Sequence, residues 1–190
     1  MQRIHFTLLI MLFLSLGNPL FAQDENKVRR WGVEFSPIGA GVFQLFQGKA
    51  TYLLWPHKST SAEVGLGVLL QPQSTASTNE GFNRDGTYSA AMLSIAYRQY
   101  YWRGLHTETV INFGRGSVED NVVDGQEYSA FQLFNQHFIG YKFQFLNGNK
   151  TNFFAITQFG FGYVPLAKKW PTTENSGVFL LGDLKVGINF

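Results

Sequence analysis

After residue 22, apolar and polar side chains alternate with a period of two, and no segment shows a 3.6-residue apolar stripe. Successive side chains of a strand point to opposite faces, so this alternation predicts strands with one greasy and one polar face. Eight segments qualify. RRWGVEFSP (29–37) sets Trp31, Val33 and Phe35 against Arg30, Gly32, Glu34 and Ser36. VFQLFQGKATYLLW (42–55) is less regular, with Ala50, Tyr52 and Leu54 against Lys49, Thr51 and Leu53. SAEVGLGVLLQ (61–71) is the cleanest, with Val64, Leu66, Val68 and Leu70 against Glu63, Gly65, Gly67 and Gln71. The fourth and fifth, 87–102 and 105–114, oppose Leu93, Ile95 and Tyr97 to Arg98, and Leu105, Ile111 and Phe113 to His106 and Glu108.

The sixth, 128–145, sets Ile139, Tyr141, Phe143 and Phe145 against Gly140, Lys142 and Gln144. Its first half puts Asn135 and His137 on the apolar phase, which predicts a β-bulge there. NFFAITQFGFGYV (152–164) and the closing GDLKVGINF (182–190) complete the set. In the last, Leu184, Val186, Ile188 and Phe190 oppose Asp183, Lys185 and Asn189.

The connections add a second rhythm. PHKST, RG and NGNK are tight, whereas PQSTASTNEGFNRDG, RGSVEDNVVDGQE and PLAKKWPTTENSG are long, and the two kinds alternate from the second strand onward. Only the first connection, around PIGAG, reads as short where a long one is due. Strands long enough to cross a ~25 Å apolar band, joined by tight turns at one end and long loops at the other, describe an all-β, eight-stranded antiparallel up-and-down transmembrane β-barrel. The aromatics Trp31, Trp55, Tyr101, Trp102, Phe145, Phe153 and Phe190 gather at the tight-turn ends, where an interfacial girdle belongs. Phe190 then ends a strand that pairs back onto the first.

The first residues and the composition sharpen this. Arg3 and His5 precede the apolar run FTLLIMLFLSLG, and Leu-Phe-Ala at 20–22 precedes QDEN. This pattern reads as a cleaved signal peptide over 1–22, with 23–29 a short segment before the barrel at 30–190. The chain has no cysteine, which removes disulfides and thiolate metal sites. Charged residues are only 15% and aromatic ones 16%, with 19 Phe. No basic run exists to hold nucleic acid. No sequence motif calls for a cofactor, and the histidines His57, His106 and His137 show no metal-ligand spacing.

The signal ending LFAQ, the segment AYRQYYWRG, the glycines of GFGY and the terminal phenylalanine together resemble the small eight-stranded outer-membrane barrels of the OmpA and OmpX type. The likeness is closest to the Bacteroidota-type outer membrane protein beta-barrel domain. It covers roughly 30–190 and implies the outer membrane, with its lipid and lipopolysaccharide, as the environment. It also implies that the C-terminal aromatic strand is read by the barrel-insertion machinery. Such motifs identify an architecture and no activity.

In a barrel of eight strands the interior is only wide enough to be filled by side chains. The inward phase supplies Glu34, Glu63, Glu108 and Asp183 with Arg30, Arg98, Lys142 and Lys185, four acids and four bases that predict a lumenal charge network. Gly65, Gly67, Gly140, Gly160, Gly162 and Gly187 would make room for them. Catalysis has weak candidates only: His106 and Glu108 share one face of the fifth strand, while Thr107 points away. Some small outer-membrane barrels are acyl hydrolases with His, Ser and Glu, but the His-x-Ser arrangement is missing here. His106 follows a tight turn and reads as a solvated or ion-paired rim histidine.

The leading expectation is a non-enzymatic barrel whose long loops, with Phe82 and Trp170, meet external proteins or ligands. Two alternatives stand beside it. One is a lipid-modifying acyl hydrolase of the outer membrane. The other is a secreted soluble barrel that holds a small apolar ligand, because periodicity cannot tell inside from outside.

Overall fold

A computed structural model describes residues 29–37, 45–55, 61–72, 87–121, 123–147, 151–163 and 178–190. The signal-peptide segment, His57, Phe82 and Trp170 lie outside them. Eight strands form: β1 (Trp31–Phe35), β2 (Phe46–Leu53), β3 (Ala62–Gln71), β4 (Thr87–Trp102), β5 (Leu105–Glu119), β6 (Tyr128–Asn147), β7 (Asn152–Tyr163) and β8 (Val178–Asn189). They close into one barrel in chain order, every neighbour antiparallel. β8 completes the ring on β1 through the register Val33↔Ile188 and Phe35↔Val186. Beyond the ladder, Phe190 N–H donates to Trp31 O at 2.9 Å, and Trp31 N–H donates back to Phe190 O. A closed ring leaves no edge on which another strand could template.

Several boundaries differ from the alternation. β1 is only five residues long, because Pro37 has no N–H for the ladder. The connection from β1 to β2 therefore spans 36–45 and is not short, which extends the two-beat rhythm to every connection. β5 continues past Gly114 to Glu119, and β6 runs for 20 residues, so the loop between them shrinks to 120–127. The outward side chains on the β5 extension, Arg115 and Ser117, are polar and bond Ser129 on β6, Arg115 Nε–H donating to Ser129 Oγ at 2.6 Å. With polar side chains on its outward face and two glycines on its inward one, this stretch lacks the apolar alternation of the other strands.

The bulge expected at Asn135 and His137 does not form. The β5–β6 register is unbroken from Leu105↔Tyr141 to Val118↔Tyr128. The irregularities fall instead between Tyr100 and Trp102 and between Gln144 and Asn147. Asn135 and His137 point outward, where local partners replace water: Asn135 Nδ2–H donates to Tyr163 Oη at 3.1 Å, and His137 Nδ1 lies 3.1 Å from Thr109 Oγ1.

The outward face is greasy. Leu66 is 64% exposed, Phe131 62% and Leu180 76%, with Val64, Val68, Leu93, Ile95, Ile139 and Phe159 also exposed. The lumen has storeys. Near the long connections, Leu69, Tyr88, Ala90, Met92, Val118, Ala130 and Phe134 form an apolar cluster. A smaller one, Ala96, Val110 and Phe138, lies closer to the tight turns, and Leu181 packs on both. The charges lie next to it.

Candidate functional site

The charged storey is assembled by strand phase and register. Glu34 on β1 sits opposite Lys49 on β2, and Arg98 on β4 sits between Glu63 on β3 and Glu108 on β5. Opposite charges directly across a ladder attract, so each pair also favours its register. Lys142 on β6 and Lys185 on β8 point into the same space.

Longer ties then cross the lumen. Arg98 donates from Nη1 to Glu63 Oε2 at 2.7 Å and from Nη2 to both Glu34 Oε1 and Glu108 Oε1 at 2.9 Å. The planar guanidinium fork, with its several N–H donors, serves all three carboxylates from one side chain. Lys49 Nζ contacts Glu108 and lies 3.1 Å from Glu34. Lys185 Nζ donates to Glu108 Oε2 at 2.5 Å and lies 3.5 Å from Glu34. Lys142 Nζ donates to Glu63 Oε1 at 2.7 Å and stands 4.1 Å above the Phe154 ring. Tyr100 Oη donates to Glu63 Oε2 at 2.9 Å.

The ties therefore link β1 to β4, β2 to β5, β3 to β6 and β5 to β8. β7 joins through Gln158, whose Nε2–H donates to Asp183 Oδ2 at 3.3 Å. Ser36 Oγ donates to Asp183 Oδ1 at 2.5 Å, and Lys185 Nζ lies 3.7 Å from Asp183 Oδ2. Every wall of the barrel is thus braced against another through polar side chains. Glu34, Lys49, Arg98, Glu108 and Lys185 are all buried. Buried ions on this scale persist only when paired and hydrogen-bonded, and removing one partner costs far more than the pair gains.

Glycines supply the room. A Cβ on Gly67 would lie 2.1 Å from Gly48 O and 2.5 Å from Lys49 Cγ, so the bare backbone there is the bed of the Lys49 stem. A Cβ on Gly187 would lie 2.3 Å from the Phe154 ring.

Two expectations need correction. Arg30 is not in the network. The ladder begins at Trp31, which leaves Arg30 exposed on the rim, its Nη1–H donating to Tyr52 Oη at 3.3 Å. Lys49 takes its place and keeps the balance of four acids and four bases. Lys49 sits on the inward phase of β2 in the sequence, but the irregular pattern of that segment hid its role.

His106 is not a solvated rim residue. It is 0% exposed, its Nδ1–H donates to Gly104 O at 2.9 Å, and its ring stands edge-on to Tyr100. The tight Arg103–Gly104 turn brings the Gly104 carbonyl to the ring. His106 Nε2 has no hydrogen-bond partner, and no pairing joins it to Glu108, which is held by Arg98, Lys49 and Lys185. Thr107 faces outward and bonds Tyr101. No nucleophile therefore stands in reach of a free base at this pair.

All seven expected girdle aromatics are exposed near the tight-turn end: Trp31, Trp55, Tyr101, Trp102, Phe145, Phe153 and Phe190. Among the described residues, no group of three His, Asp or Glu side chains is placed to hold a metal ion. The apolar storey near the long connections has no signal in the alternation, because Leu69, Met92, Val118 and Phe134 lie on the polar phase of their strands. No family model, no curated protein and no solved structure matches this chain.

Proposed function

We propose that this chain is an integral barrel of a bacterial outer membrane, with a lumen plugged by side chains and long connections that meet external partners, and that it performs no catalysis. One observation carries the reading. Leu66, Phe131, Phe159 and Leu180 are exposed on the outside while Arg98, Glu108 and Lys185 are buried inside. In water both halves of that arrangement are unfavourable, since a contiguous apolar surface is exposed and ions are dehydrated. In hydrocarbon, the outside is solvated by lipid and the closed ladder satisfies the backbone.

The alternative of a soluble carrier gains something from the apolar upper storey. However, that space is occupied by Tyr88, Met92 and Phe134, and the outside would still be greasy. The acyl-hydrolase alternative loses its catalytic pair, as His106 and Glu108 are engaged separately.

Fractionation combined with gel mobility before and after boiling tests the proposal. The protein should be recovered with outer membranes and should migrate differently once boiled. Recovery in the soluble periplasm or the medium would overturn it. In planar bilayers the plugged lumen should give no steady open conductance.

A further inference from the structure

The tight-turn rim carries cationic side chains beside its aromatics. On one side, Arg30 donates to Tyr52 Oη, and the Tyr52 ring packs 4.8 Å from Trp31. On another, the Arg103 guanidinium lies 4.9 Å from the centre of the Trp102 ring, next to Tyr101. Trp31, Tyr101 and Trp102 are each more than half exposed, and both arginines are exposed. Arg103 sits in the two-residue turn with a left-handed φ of 47°. Arg29 adds a third guanidinium at the entry to β1. The other two connections at this end, 54–61 and 148–151, carry Lys58 and Lys150 and no acid in sequence. Asp24 and Glu25, the acids that precede Arg29 in the chain, lie outside the described residues. The opposite end differs: the β5–β6 connection holds Asp120, Asp124 and Glu127 with no cation.

We infer that this rim binds anionic phospholipid headgroups of the leaflet at the tight-turn end, with Arg30 and Arg103 as the two contact points. The inference rests on the membrane reading above. Exposed indole and phenol rings settle at the depth of the headgroups. Guanidinium groups held against those rings lie at the level of the phosphates, where they can make bidentate, charge-assisted hydrogen bonds. A zwitterionic headgroup offers the same phosphate with a compensating cation. A headgroup with net negative charge does not, so the rim should select for charge.

Quenching of tryptophan by brominated lipid tests this. The full chain carrying Trp170→Phe keeps Trp31, Trp55 and Trp102, all at this rim. It is inserted into equimolar phosphatidylcholine and phosphatidylglycerol with one of the two lipids brominated. Brominated phosphatidylglycerol should quench more, with a relative affinity of about fivefold per cation at low salt, falling as salt is added. R30Q/R103Q should lose about fivefold of the preference for each of the two cations removed and keep the quenching by phosphatidylcholine. R30K/R103K, which keeps the charge, should retain most of it. Equal quenching by both lipids in the parent overturns the inference and leaves the membrane reading standing. So does a preference undiminished in R30Q/R103Q. Absence of quenching by either lipid overturns the membrane reading itself.

Discussion

Arg98 on β4 and Glu34 on β1 meet across the lumen, Nη2 2.9 Å from Oε1 and 3.0 Å from Oε2, with both residues almost wholly buried. The two strands share no ladder, so this contact ties walls that the backbone leaves separate. Glu63 and Glu108 share the same guanidinium. Arg98→Met leaves three carboxylates facing one another with less cation among them. It should cost about 3–5 kcal/mol, read as a lower denaturant midpoint in micelles. A loss below about 1 kcal/mol, the range of a surface pair, would show that the network is hydrated.

Glu34 and Lys49 are neighbours in register and in the ion cluster. Glu34→Gln and Lys49→Met should therefore be non-additive. The double variant should be more stable than the sum of the single losses predicts, by about 0.5–3 kcal/mol in a double-mutant cycle. Simple additivity would mean that the two charges act independently.

Two glycines make opposite predictions. Gly67→Val pushes a side chain into Gly48 O and the Lys49 stem and should destabilise the barrel by about 1–3 kcal/mol or prevent its folding. At Gly182, by contrast, a Cβ meets nothing within 4 Å, so Gly182→Ala should leave the unfolding midpoint unchanged. Equal behaviour of the two would contradict the packing.

Leu66 lies midway along β3 and faces out. In bilayers, Leu66→Arg should lose about 2–4 kcal/mol, the cost of a cation near the hydrocarbon midplane. In water the same change would be nearly neutral or favourable. An insensitive Leu66→Arg in vesicles would show that this face does not meet lipid.

Purified protein incubated with phospholipid or lipopolysaccharide should release no fatty acid, because His106 and Glu108 are separately engaged. Acyl release that disappears in His106→Ala would reverse the reading of this pair.

The alternation in SAEVGLGVLLQ was enough to give β3 and its two faces, since side-chain direction follows from backbone phase alone. The same logic placed Glu63, Arg98, Glu108, Lys142 and Lys185 on one side. It failed where phase and chemistry disagree. Arg30 has the inward phase but lies before the ladder begins. Asn135 and His137 have an outward phase with polar side chains, and local hydrogen bonds to Tyr163 and Thr109 make a bulge unnecessary. Leu69 and Phe134 have an inward phase with apolar side chains, and they join one cluster only because the barrel closes.

By itself, the sequence determined the strands, their order and the sorting of side chains to two faces, because a period of two is a property of the local backbone. It could not decide which face would be enclosed, nor that Glu34 would meet Arg98 or that Lys49 would replace Arg30. Those contacts join residues far apart in the chain. They exist only once curvature brings β1 and β4 within reach of an arginine and a glutamate side chain meeting end to end, which is a property of the closed ring.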